Sequence, residues 1–187
     1  YLADQMSEVY SLQQHRKAFC LGNIMPDLRP SFLTTRHEFF GTFSQLQEKM
    51  RELIERNPEE DNARVYWRRF GEVMHYMADY FTFPHNRTYK GSLAEHNSYE
   101  AELKNCLKEC ILSGNADSQL EEAKHFDSFE ELVGYIRERH ACYLESPRCI
   151  ADDIRFILRV CYQVIQGIFQ LCLRRQFHME GRPVTAI

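Results

Sequence analysis

Between Cys149 and Arg175 the chain places Ile154, Phe156, Ile157, Val160, Cys161, Val164, Ile165, Ile168, Phe169 and Leu173 at helical spacing and over more than one face. A helix that is apolar on several sides has to be enclosed by other elements, because a surface helix buries only one stripe. The remaining sequence can supply them, since its hydrophobic periodicity is helical almost everywhere and no convincing alternating strand run interrupts it. The pattern predicts helices over 1–14, 42–56, 63–82, 92–113, 128–143 and 149–175, with 42–56 and 128–143 amphipathic. Turn chemistry separates them in "LGNIMPDLRPSF", "RNPEEDN", "FPHNRTYKGS", "LSGNADS" and "LESPRC". The expected fold class is all-α, a compact multi-helix bundle forming a single domain over 1–187.

A net charge of −4 and a pI near 6.1 give no electrostatic footprint for duplex nucleic acid. No apolar run is read as long enough to span a bilayer, and no leader pattern opens the chain, which starts at Tyr1 rather than Met. Seven cysteines (Cys20, Cys106, Cys110, Cys142, Cys149, Cys161 and Cys172) are an odd number without CxxC spacing, so neither a disulfide scaffold nor a thiolate zinc finger is indicated. Reduced core thiols in a cytoplasmic protein are the expectation.

The window "HYMADYFTFPHNRTYKGSLAEHNSYE", His75 to Glu100, carries the chemistry. His75 and Asp79 are four apart on one predicted helix, so both project from one face on successive turns. His96 and Glu100 repeat the arrangement. Zinc takes imidazole nitrogen and carboxylate oxygen as ligands, and a helical pair offers two of them from a rigid support. His85 follows Pro84 at a turn that can aim it at the same ion as His96 and Glu100, giving two histidines and one carboxylate with a position open for water. Asp27 and His37, in a segment read as irregular, are the partners available to His75 and Asp79. His15, His125, His140 and His178 read as ordinary hydrogen-bonded histidines.

The segments "GNIMPD", "RH", "HYMADYFTFPHN" and "EHNSYE", with the spacing His-x3-Asp-x5-His followed by His-x3-Glu, resemble the zinc-dependent phospholipase C family, the bacterial all-α enzymes that hydrolyse phosphatidylcholine. The similarity runs from about residue 20 to residue 100. It implies that Asp27, His37, His75 and Asp79 hold one zinc, that His85, His96 and Glu100 hold a second, and that Asp79 bridges to a third. The family completes its third site with an early histidine and the amino-terminal residue. Tyr1 and His15 mimic that pair in spacing, but His15 stands too close before "GNIMPD", so the expected ligands precede Tyr1.

The resemblance implies hydrolysis of a phospholipid or another phosphodiester with two to three zinc ions, and transient contact with a membrane surface. Asp27 is the candidate general base, because a carboxylate beside an activated water can accept its proton. Arg29 and Arg36 are candidate phosphate contacts, and Phe32, Phe39, Phe40, Tyr76, Tyr80, Phe81 and Phe83 are candidate walls of a headgroup pocket. Three rivals share parts of the pattern. A zinc single-strand nuclease needs stacking aromatics and a basic track, which the acidic balance disfavours. A ferritin-like di-iron bundle would use Glu72-x-x-His75 and Glu122-x-x-His125 but leaves the other candidates idle. A metal-stabilised binding module would hold the same ions without catalysis.

Overall fold

The computed structural model describes residues 1–6, 9–28, 38–56, 62–147 and 149–179. Eight α-helices are present among them: α1 (Leu2–Gln5), α2 (Tyr10–Gln14), α3 (Arg16–Leu28), α4 (Phe39–Glu55), α5 (Ala63–Tyr80), α6 (Leu93–Leu112), α7 (Phe129–Glu145) and α8 (Ile150–Met179). Short 3-10 turns lie at Phe83–His85 and Asp117–Gln119. The chain is all-α, and no described residue is in a strand.

The long helix α8 sits at the centre, packed by α4, α5, α6 and α7. Its Val160, Val164 and Ile168 are fully enclosed, as the sequence pattern requires of a helix apolar on several sides. The segment Ile150–Gln176 is, by length and composition, long and apolar enough to cross a membrane, which corrects the reading that no such run exists. Here its apolar faces are spent on the bundle core. The amphipathic helices α4 and α7 turn Phe43, Leu46 and Met50, and Leu132, Val133 and Ile136, inward.

Two boundaries differ from expectation. The stretch 1–14 is divided into α1 and α2 rather than forming one helix. More consequentially, the sequence reading places no helix between 14 and 42, yet α3 forms over Arg16–Leu28 and takes in "GNIMPD", with Pro26 and Asp27 in its last turn. Proline normally ends a helix because it lacks an N–H and crowds the preceding turn. Packing overrides that signal, since α3 lies against α5 at a pair of glycines. A β-carbon on Gly22 would come 2.0 Å from the Arg68 carbonyl oxygen, and one on Gly71 would come 2.1 Å from that of Phe19. The two backbones meet where neither side chain exists, and the contacts Phe19–Phe70 and Asp27–His75 set them running in the same direction. Asp27 is thereby held on a helix end beside α5, not on a free loop.

Local chemistry fixes the other starts. Asn62 accepts the Val65 N–H to cap α5. At α6, Ser92 and Glu95 form a capping box, with the Ser92 N–H on Glu95 Oε2 at 2.7 Å and the Glu95 N–H on Ser92 Oγ at 3.3 Å. That box sets the register of His96 and Glu100 one turn later. Of the seven free cysteines, Cys161 is buried, Cys106, Cys110 and Cys172 pack partly buried against the core, and Cys20, Cys142 and Cys149 are exposed, so the expectation of core thiols holds for four of them.

Candidate metal centre

Five side chains from α5, the Phe83–His85 turn and α6 form one continuous line of imidazole and carboxylate groups. On α5, His75 Nε2 lies 3.0 Å from Asp79 Oδ2. The other oxygen of Asp79, Oδ1, faces His85 Nε2 at 4.0 Å. His85 Nε2 in turn meets Glu100 Oε1 at 2.9 Å, and His96 Nε2 meets that same oxygen at 2.9 Å. Asp27, from the end of α3, adds a sixth group with Oδ1 3.4 Å from His75 Nε2. The two helical pairs of the sequence are therefore neighbours, joined through His85.

Each group is placed by identifiable packing. His75 donates to the backbone of Asn23 on α3, which orients its ring toward the carboxylates. His85 is carried by a short turn held from three sides. The Phe83 N–H donates to Asp153 Oδ2 at 2.9 Å, and Asn86 donates through Nδ2 to the Thr82 carbonyl at 2.9 Å. His140 Nε2 lies 3.2 Å from Asn86 Oδ1, and the His140 ring stacks on Phe39 at 3.9 Å. Asp153 also accepts the Tyr99 hydroxyl, next to Glu100 in sequence, at 2.9 Å. Asp153, Asn86 and His140 were not legible as supports of the site. Asp153 opens the last helix in "ADDI", where an acidic residue reads as a partner of the helix dipole.

The electrostatics are mutually reinforcing. Burial works against the charged form of His75, but its hydrogen bond to Asp79 and the charges of Asp79 and Asp27 outweigh this and raise its pKa. Burial likewise opposes the charge on His85, yet Asp79 and Glu100 raise its pKa. The His85 hydrogen bond, with further help from His96, holds the Glu100 carboxyl below its usual range despite partial burial. Concentrated carboxylates facing imidazoles through one nitrogen each make a site that attracts cations.

The donor set fits zinc. Ligand atoms of His85, His96 and Glu100 all lie within 4.8 Å of one another, the one such group found among the described residues. Neighbouring ligands on a tetrahedral zinc with bonds near 2.1 Å stand ~3.4 Å apart. The separations of 2.9 to 4.0 Å along the line bracket that value. Asp79, with one oxygen toward each half, is arranged as a shared carboxylate.

The remaining candidates divide. His37, Arg29, Arg36, Phe32 and the side chain of His178 lie outside what the structure describes. His15 Nδ1 lies 3.0 Å from Ser11 O on its own helix, and the Tyr1 hydroxyl donates to Asp117 Oδ1 at 2.7 Å. Phe39, Tyr80 and Phe81 are core residues, which removes them from any headgroup wall; Phe40 remains exposed. The di-iron pattern fails. Glu72 pairs with Lys49 at 2.7 Å, while Glu122 and His125 sit on a non-helical surface segment.

A family model described as zinc dependent phospholipase C matches residues 1–150. That span contains every metal-ligand candidate and ends where α8 begins. No curated protein and no solved structure matches the chain.

Proposed function

The chain belongs to the zinc-dependent phospholipase C family, and on that premise we propose that it is a phosphodiesterase that cleaves a phospholipid on the lipid side of phosphorus, with water as nucleophile. The observation that carries the reading is Asp79, whose two oxygens face His75 and His85 and so join two histidine–carboxylate sets into one centre. His85, His96 and Glu100 would hold one zinc, and Asp27, His75 and Asp79, with His37, a second. Zinc held there supplies Lewis-acid polarisation of phosphoryl oxygens and a water acidic enough to react near neutral pH.

The chain's own groups complete the task. Asp27 is half exposed at the end of α3 and faces His75 from the solvent side, so its carboxylate is placed to accept the proton of the attacking water. His75 and His85 are nearly buried, which keeps their rings fixed and lowers the local dielectric around the phosphate. Glu100, contacted by two imidazoles, is restrained despite its exposure.

The test is direct. Protein stripped of metal and reloaded with zinc is assayed for release of phosphorylated headgroup from phosphatidylcholine and other phospholipids. Zinc-dependent release at two or more ions per chain is expected. A fully loaded protein that releases nothing from any phospholipid would reduce the centre to a structural metal site.

A further inference from the structure

A groove of about 430 Å³ leads away from the metal centre along α6. Asp79 and Glu100 close one end of it, and Leu103, Leu107, Ile111 and Ile157 line its length. On α6 these positions follow Glu100 at i+3, i+7 and i+11, a single stripe about 16 Å long at 1.5 Å per residue. Leu103 is the one fully buried side chain of this twenty-residue helix, while Leu107 and Ile111 pack partly buried against the core and leave the rest of their surface to the groove.

The lining has a definite chemistry. No described lining residue is aromatic. A nucleobase would call for a stacking platform, whereas a methylene chain needs only aliphatic contact. Lys104 and Lys108 stand four apart along the rim, both exposed, and neither pairs with a carboxylate among the described residues. Their stems can follow the apolar wall while the ammonium groups stay in water, where they meet the anionic face of a lipid surface.

We propose that this groove seats an acyl chain of the lipid whose phosphate lies at the metal centre, with Lys104 and Lys108 facing the headgroups of the surface from which that lipid is drawn. The assignment rests on the phospholipase reading and deepens it. It makes the centre selective for lipid phosphodiesters over soluble ones, because the free energy of chain burial is available only to a substrate that has a chain. It also gives the substrate a direction, with the phosphate at Asp79 and Glu100 and the chain running toward Ile111.

Binding of alkylphosphonocholines of increasing chain length, each below its critical micelle concentration, to the zinc-loaded protein tests the groove without turnover, because their lipid-side P–C bond is not hydrolysed. Affinity should rise up to about fourfold per added methylene until the trough is filled. The double variant Leu107→Gln, Ile111→Gln should flatten that dependence. Ala78→Met, which fills the groove without making it polar, should flatten it too and guards against a folding defect in the first variant. Affinity indifferent to chain length in the wild type, or a dependence unchanged in both variants, would overturn the proposal, as would preferential binding of a mononucleotide. Hydrolysis of a soluble phosphodiester by the zinc-loaded wild type is measured in parallel. Activity there with no chain-length dependence sinks the groove alone, and chain-dependent binding with no hydrolysis of any substrate sinks the phospholipase reading alone.

Discussion

The Tyr99 hydroxyl donates to Oδ2 of Asp153 at 2.9 Å, and that same oxygen accepts the backbone N–H of Phe83, also at 2.9 Å. Tyr99 precedes Glu100, and Phe83 lies two residues before His85, so one carboxylate of α8 sets the spacing between the turn and the helix that carry the second ligand set. Oδ1 accepts the Tyr143 hydroxyl at 2.7 Å and brings α7 into the same anchor. Asp153 is fully buried; burial raises its carboxyl, and the three donors oppose that shift.

Replacing Asp153 by Ala should therefore be among the more damaging single changes outside the ligands. It leaves three donors without their acceptor, and each unsatisfied buried group costs about 1–3 kcal/mol. Tyr143→Phe removes one of the three bonds and should cost about 1 kcal/mol. Denaturant titration of the two variants makes the comparison. Equal destabilisation would show that Asp153 is not the joint anchor.

His85 stands where the two halves meet, 2.9 Å from Glu100 of its own ligand set and 4.0 Å from Asp79, the carboxylate proposed to be shared. On the proposed assignment His85→Ala and His96→Ala should each weaken the zinc held with Glu100, whereas His75→Ala should weaken the other. Because metal bound to the folded state alone raises its stability, the loss should appear as a reduced zinc-induced rise in Tm. Metal content and melting curves on the same preparations decide it. A His85 variant that keeps two ions per chain with unchanged melting would remove it from the ligand set.

The bundle was open to a sequence reading because helical periodicity is repeated over long segments, and the enclosed α8 announces itself through Val160, Val164 and Ile168. The helical pairs His75/Asp79 and His96/Glu100 were legible for the same reason, since spacing of four needs no tertiary knowledge. What spacing could not supply was the joining of those pairs. That depends on how Pro84 and Asn86 fold the turn and on Asp153, seventy residues away from Phe83. The helix α3 was hidden likewise. Pro26 signals a break locally, and the close approach of Gly22 to α5, against which α3 packs, is a tertiary contact that the local sequence does not show.

Stability of the metal-free protein should be greatest near pH 6.5. His75 and His85 have pKa values raised above the ordinary 6.5, so the stability they contribute is complete below that value and is lost as pH rises through the raised folded values. His140 behaves oppositely. Burial pushes its pKa down to about 4, so the folded state resists protonation, and stability falls as pH drops from 6.5 toward 4. Zinc needs the neutral imidazoles, so its stabilising effect should grow with pH over the range in which the metal-free protein weakens. Melting curves against pH with and without zinc test both signs. Parallel curves would mean that proton and metal do not compete for the same histidines.

Asp27 is proposed both to ligate zinc and to serve as the base, and one substitution separates the two roles. The end of α3 holds its carboxylate 3.4 Å from His75 Nε2, half exposed, where it can both ligate and accept a proton. Asn keeps the size and one oxygen donor but cannot serve as a base. Asp27→Asn should therefore retain the zinc of His85, His96 and Glu100 and lose turnover by roughly 10²–10⁴-fold, the usual worth of a general base. If the loss came from ligation instead, saturating zinc would restore the rate; if it came from proton transfer, the rate would stay low at full metal content and the acidic limb of the pH profile, set by ionisation of the base, would change. Near-normal turnover of a fully loaded Asp27→Asn protein would assign the proton to another group, and the base would then have to be sought among the carboxylates at the far side of the same line, Asp79 and Glu100.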